Sequence, residues 1–369
     1  MTDLTIMRLG MKGDGIAAGP VYVPRTLPGE VVRGTVRDGR IDAPKIVAPS
    51  PDRVRPACPH YKSCGGCQLQ HASDAFVEGW KAQVVADALA AQGLAAPITQ
   101  VSTSPPESRR RATLAGRRLR SGPVVGFHAP RSEQIAAIAE CRVLSPGLRA
   151  VLPVLSDITA RAGSRRGMLQ FAVTDTTSGI DCAVGGGGPL DAALARDLPR
   201  YGQHFARLSW DAELVMAETA PVVQLGPARV TPPPGAFLQA TDHGQAALIE
   251  AVRRAVLGAK SIIDLFAGCG TFTLPLATGA SLHAVDGEAV QLRALDQAAR
   301  NTEGLKAVTH ETRDLFRRPL DADELAGFDA AVIDPPRAGA AAQTAELARA
   351  ALPRIAMVSC NPATFARDA

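Results

Sequence analysis

The chain has 369 residues, 46% hydrophobic and 21% charged, which is too apolar for a disordered polypeptide and long enough for two or three packed domains. No apolar run reaches bilayer-spanning length, and residues 1–10 lack the charged head and apolar stretch of a secretory signal, so the expectation is a cytoplasmic protein without membrane contact. The net charge of +4 is uneven: residues 1–150 hold 20 Lys+Arg against 12 Asp+Glu, and the remainder holds 20 against 24, which suggests a polyanionic partner for the N-terminal part.

Residues 1–50 read as a small all-β unit, with strand-like pieces at 21–23, 30–36 and 40–41. Gly13-Asp14-Gly15 and Leu27-Pro28-Gly29 supply the turns, and the spacing suggests a small β-barrel of the oligonucleotide-binding kind. Pro49, Pro51 and Pro56 form a stiff link into Cys58-Pro-His-Tyr-Lys-Ser-Cys64-Gly-Gly-Cys67. Seven cysteines, an odd number without a secretory signal, argue for metal or catalytic use rather than disulfides. Three thiolates so close together repel one another unless a cation sits among them, and both zinc and an iron–sulfur cluster suit sulfur ligands.

Residues 74–92 read as a helix with Phe76, Trp80, Val84, Val85, Ala88 and Leu89 on one face. A carboxylate-free run follows: Arg109, Arg110, Arg111, Arg117, Arg118 and Arg120, either a nucleic-acid grip or a solvated charged face. From 110 to 230 the pattern is β-rich, with strands near 123–128, 168–174 and 180–184, and glycines 185–188 form a loop. Pro232, Pro233 and Pro234 mark a domain boundary. Beyond it, helices at 242–257, 288–301 and 340–351 alternate with strands at 261–266, 281–286, 306–311, 328–333 and 354–359. That alternation predicts a doubly wound parallel sheet with its ligand at the carboxyl ends of the strands. The domains expected are therefore 1–50, 51–234 and 235–369.

The first of those strands runs into Asp264-Leu-Phe-Ala-Gly268-Cys-Gly270, and Asp286 closes the second, placed for ribose hydroxyls. Thr273 stands where a dinucleotide fingerprint would have its third glycine. A short Gly-x-Gly without that glycine suits S-adenosylmethionine, which has no pyrophosphate to cradle. The fourth strand ends in Asp334-Pro-Pro-Arg337 and the fifth in Ser359-Cys360-Asn361-Pro362, so Asp334 and Cys360 should share the ligand face. A thiolate beside a methyl donor is what methylation of a pyrimidine carbon needs, because C5 becomes nucleophilic only after addition at C6.

With these motifs the sequence resembles the RNA 5-methyluridine methyltransferases, above all their iron–sulfur members acting on 23S ribosomal RNA. The resemblance covers essentially the whole chain. It implies a Rossmann-like class I methyltransferase domain, preceded by a TRAM-type β-barrel and a mixed, β-rich central domain. It further implies a [4Fe–4S] cluster on Cys58, Cys64, Cys67 and Cys141 in place of zinc, leaving His60 and His71 as surface or packing residues. Gln239, Phe266, Gly268, Thr271, Asp286, Asp314 and Asp334 would hold the donor, Cys360 would be the nucleophile, and the arginine run would grip RNA. Cys182 and Cys269 match no ligand and are expected to be structural, helix 74–92 is expected against the catalytic domain, and the chain is expected to be a monomer. Thr271 and Thr241 replace asparagines common in the family. Relatives continue past the nucleophile to closing strands and a late Glu that takes the C5 proton, whereas this sequence ends nine residues after Cys360, so an incomplete sheet is expected. A donor-binding RNA factor without chemistry, or the same chemistry on tRNA, are the alternative expectations.

Overall fold

The computed structural model describes residues 2–369. An N-terminal five-stranded antiparallel sheet comprises Thr2–Leu9, Gly15–Ala17, Val21–Val23, Val31–Gly34 and Lys45–Ala48, with Thr2–Leu9 at its centre. Three of those strands, Thr2–Leu9, Gly15–Ala17 and Lys45–Ala48, lie outside the expected pieces, and 40–41 forms only a bridge to Tyr22 and Arg37. That bridge curls the sheet around Ile6, Val23, Val32 and Ile41, each less than 2% exposed. Glu30 is fully buried beneath the curl, where its carboxylate accepts hydrogen bonds from the Leu27 and Ser50 amides and from Arg53. These bonds hold its carboxyl below the usual range against the opposing effect of burial.

The central region is built on a seven-stranded sheet whose middle strands are Arg111–Leu119 and Leu169–Thr176. Helix Leu152–Ala162 packs on it through Leu155 and Ile158, both fully buried. Half of the arginine run therefore lies on a central strand rather than in a loop. Helix Asp74–Ala90 buries only Leu89, and the rest of its apolar face is half-covered. It lies against the C-terminal helix Pro362–Asp368.

Residues 242–369 form a five-stranded, all-parallel sheet. Its order is Val308–Thr312, Ser281–Asp286, Ser261–Leu265, Ala330–Ile333, Ile355–Met357. The inner strands are unbroken apolar runs because helices cover both faces. Strand order reverses between Ser261–Leu265 and Ala330–Ile333, which opens a crevice at their carboxyl ends. Register sets Leu265 beside both Val285 and Ile333, and Ile333 beside Met357, so the residues that follow emerge at one level.

Two arginines fix the passage from the central sheet to the parallel sheet. Buried Arg207 makes a two-pronged pair with Asp181 (2.7 and 2.8 Å) and donates to the Pro232 carbonyl, fixing the proline step. Arg110 reaches the helix Asp242–Ala255, pairing with Asp242 and donating to Gln245 Oε1 at 2.7 Å.

Candidate functional site

The crevice is made by turns that side chains other than glycine resist. After Leu265 the backbone passes through Phe266 at φ 62°, then Gly268 at 55° and Gly270 at 91°. A Cβ on Gly270 would lie 2.9 Å from Leu295 Cγ, so the loop can rest on helix Ala289–Arg300 only with glycine there. Asp286 accepts hydrogen bonds from the Gly268 amide at 2.9 Å and the Glu288 amide at 2.7 Å. Its carboxylate thus braces the glycine turn, a task that sequence spacing does not reveal.

Asp264 is wholly buried. One carboxylate oxygen accepts from Thr273 Oγ1 at 2.5 Å, and the other has no partner. Thr273, in the place of the fingerprint's third glycine, is therefore the anchor of this carboxyl. Burial, with the charges of Asp334 and Asp286, pushes the Asp264 pKa up to about 7. Burial likewise pushes Asp334 up to about 6. Three carboxyls bearing on one crevice give it a negative field suited to a cationic ligand such as a sulfonium.

Phe266 meets Phe316 at 5.4 Å in a tilted pair over the outer side of the crevice. Asp314 turns its carboxylate to the amides of Phe316 and Arg317. Gln239 and Thr271 are half-buried, and the Gln239 carbonyl accepts from Arg110 Nε. Thr241 accepts from the Gly244 amide and so caps helix Asp242–Ala255.

Cys360 is exposed just beyond the fifth strand. The Val358 amide donates to the Ile333 carbonyl at 2.9 Å, which sets the cysteine two residues past the level of Asp334. The loop carrying it is clasped from both sides. Asn361 Nδ2 and Thr364 Oγ1 both donate to the Arg337 carbonyl, and Asn361 Oδ1 caps the C-terminal helix through the Ala363 amide. Asn361 was not singled out from sequence. An Asn followed by Pro at a helix start is the signal that points to it.

The arginine run divides. Arg109 borders the cysteine-lined cavity described next, while Arg110 and Arg111 turn inward. Arg111 donates to the Ala236 carbonyl and stacks over Phe237, with 5.0 Å from guanidinium carbon to ring centre. Neither of the inward pair is free to grip RNA, which corrects the expectation for the run as a whole.

Cys58, Cys64, Cys67 and Cys141 line one cavity of about 90 Å³ with Tyr61, Phe127 and Ile138 among its walls. The Gly66 amide donates to Cys64 Sγ at 3.3 Å. Burial pushes the Cys64 and Cys67 thiols up, and so do the neighbouring cysteines when charged. Buried thiols that repel one another as thiolates, with an amide aimed at sulfur, fit a sulfur-ligated metal group. Among the described residues no three His, Cys, Asp or Glu side chains converge on a single ion. His60 accepts from the Glu140 amide, and His71 is buried against Tyr61 OH at 2.6 Å. Cys182 and Cys269 are buried with raised pKa values, Cys269 to about 12, as inert packing thiols are. No helix of the described residues is long and apolar enough to cross a membrane.

Comparison with known proteins adds to this geometry. A family model described as tRNA (Uracil-5-)-methyltransferase matches residues 233–369. An uncharacterized RNA methyltransferase of Rhizobium meliloti is 42% identical, covering 99% of this chain and 91% of its own. The 23S rRNA (uracil(1939)-C(5))-methyltransferase of Halomonas elongata is 31% identical, over 100% of this chain and 82% of its own. Among solved structures, the Pyrococcus abyssi tRNA (uracil-54, C5)-methyltransferase in complex with S-adenosyl-L-homocysteine superposes with a TM-score of 0.77. Its identity is 22%, covering 99% of this chain and 92% of that one, a likeness of fold.

Proposed function

We propose, because this chain belongs to the S-adenosylmethionine-dependent RNA uracil-C5 methyltransferase family, that it methylates C5 of a uridine in 23S ribosomal RNA. The observation that carries the chemistry is Cys360, exposed and clasped to the loop of Asp334 at the switch point of the parallel sheet. End-to-end likeness to a ribosomal RNA enzyme at 31% identity favours that RNA over tRNA.

In this reading the Cys360 thiolate adds to C6 of a uracil flipped into the crevice, and the electron pair moved onto the ring makes C5 nucleophilic. Bound S-adenosylmethionine supplies an electrophilic methyl group. Gln239, Phe266, Gly268, Thr271, Asp286, Asp314 and Asp334 are the residues assigned to hold it. Asp286 acts by shaping the glycine turn through the Gly268 amide, and the carboxyls of Asp264 and Asp334 favour a positive charge beside them. After methylation a base must take the C5 proton so that the C6–sulfur bond can break and the thiolate leave.

We infer that the four thiols around the 90 Å³ cavity ligate a [4Fe–4S] cluster. Four cysteines on one cavity suit a sulfur-ligated group, and the likeness of the cysteine pattern to the family's iron–sulfur members favours the cluster over zinc. The group would serve structure, since methyl transfer needs no electron carrier.

The test uses 23S rRNA fragments and tRNA substituted with 5-fluorouridine. Fluorine at C5 cannot leave as a proton does, so the covalent protein–RNA adduct accumulates whichever base serves. Mass spectrometry should find the adduct on rRNA and lose it in Cys360→Ala. An adduct that survives that substitution overturns the nucleophile, trapping on tRNA alone overturns the substrate, and RNA binding without any adduct favours a non-catalytic factor.

A further inference from the structure

The outward arginines of the central sheet converge on something the catalytic crevice does not use. Arg118 and Leu119, at the end of strand Arg111–Leu119, face Ser164, Arg165 and Arg166 across an open cleft of about 710 Å³. Arg120 stands beside them in the hairpin turn. Arg118 is held in place, because its guanidinium donates to the Ala160 carbonyl in the last turn of helix Leu152–Ala162. That carbonyl lies at the negative end of a helix, a favourable seat for a cation. Helix Leu152–Ala162 then ends at Gly163, and the chain swings Arg165 and Arg166 to the opposite wall.

No carboxylate lines the cleft. Among the described residues, Arg118, Arg120, Arg165 and Arg166 form no ion pair, although Arg161 one turn earlier takes up both Asp157 and Asp197. Four cations grouped without counter-charge repel one another, a cost that a polyanion removes. The cleft also lies at the far end of its strand from the entry to the catalytic domain. Arg111, at the other end of the same strand, touches the segment that enters the catalytic domain, and the eight steps between span roughly 26 Å.

We propose that this cleft is a distal docking site for the phosphate backbone of the RNA substrate, at the opposite end of strand Arg111–Leu119 from the segment that enters the catalytic domain. The inference rests on the family's action on RNA and holds whichever RNA carries the target. Backbone contacts there orient the RNA without reading its bases. A short uridine hairpin would fill the crevice alone, and only longer structured RNA would reach both.

The experiment compares wild type with Arg165→Ser/Arg166→Ser, two exposed side chains with no hydrogen bond to lose, in the full chain. Binding of a long ribosomal RNA fragment, of tRNA and of a short uridine hairpin is measured across salt concentrations. For whichever long RNA binds wild type, affinity should fall by roughly tenfold and the salt slope by about 1.5 to 2. The short hairpin and S-adenosylhomocysteine should bind unchanged, and thermal unfolding should be unaltered. Unchanged long-RNA affinity and salt slope overturn the proposal, as does an equal loss on the short hairpin. A wild type that prefers tRNA to rRNA overturns the substrate reading and leaves this comparison intact.

Discussion

Asn361 Nδ2 donates to the carbonyl oxygen of Arg337 at 3.1 Å, joining the loop after the fifth parallel strand to the loop after the fourth. These loops carry Cys360 and Asp334, which lie 26 residues apart in sequence. The site is therefore a property of the pair of loops, and neither strand alone fixes the thiol against the donor crevice.

Asn361→Ala removes that bond and the cap on the Ala363 amide, while Thr364 still reaches the same carbonyl. Stability should fall by about 1 kcal/mol, the usual value of an N-cap. Adduct formation on 5-fluorouridine RNA should slow by roughly 10- to 100-fold, because a displacement near 1 Å costs that much in a positioned reaction. Calorimetric S-adenosylhomocysteine affinity should hold. An unchanged adduct rate would show that the clasp does not position Cys360.

The seam between central sheet and catalytic domain makes a second prediction. Gln245 is 6% exposed, accepts from Arg110 and donates to the Gln224 carbonyl, whereas the Asp242 side chain is 77% exposed. Gln245→Leu leaves the buried Nη2 of Arg110 without its acceptor, while Asp242 still holds Nη1, and should cost about 1 to 3 kcal/mol in denaturant unfolding. Asp242→Asn keeps an oxygen acceptor for Arg110 at a position open to water and should cost less than about 1 kcal/mol. The reverse order would sink this account of the seam.

Much of the parallel sheet was legible. Its strands are short apolar runs ending in turn residues, and Ser281–Asp286 falls on the expected bounds. The N-terminal sheet was less so, because Thr2–Leu9 buries only Ile6 and Leu9, three residues apart, and its alternation is broken by a bulge between Ile6 and Arg8. The cysteines cluster visibly, yet that Cys141 joins them depends on a fold that returns the chain after 74 residues. The arginine run misled for a related reason. Sequence displays the cations but not the carbonyls at 236 and 239 that take up two of them.

The cysteine centre is also tied to the N-terminal sheet. Tyr61 lines the cavity and bonds His71, whose other ring nitrogen faces the Thr26 carbonyl, while Arg25 donates to the Lys62 carbonyl. Loss of the proposed cluster should therefore loosen both parts together. In Cys67→Ser, or after iron chelation, amide exchange should rise at 58–70 and at 25–30 but stay slow in Ser261–Leu265. A colourless, zinc-bearing wild-type preparation would overturn the iron–sulfur assignment, and unaltered exchange at 25–30 would overturn the coupling.

Asp264 gives a prediction with a definite sign. Its pKa of about 7 in the folded chain lies above the usual 3.8, so the folded state holds its proton where the unfolded state has released it. The neutral carboxyl is fully tolerated below pH 4, and the penalty grows from about pH 4, where the unfolded carboxyl ionises, until about pH 7, where the buried anion forms and the penalty levels off. Asp334, at about 6, adds to the fall between about pH 4 and 6. Stability of the ligand-free chain should therefore decline between about pH 4 and 7, and Asp264→Asn should flatten that decline by about 2 to 4 kcal/mol. The asparagine keeps an acceptor for Thr273, so the fold is retained. A cationic donor stabilises the anions, and S-adenosylmethionine should bind more tightly at pH 8 than at pH 5.5, with uncharged-sulfur S-adenosylhomocysteine showing less of the trend. Equal pH slopes for wild type and Asp264→Asn in guanidinium unfolding would show that this carboxyl does not titrate in the crevice.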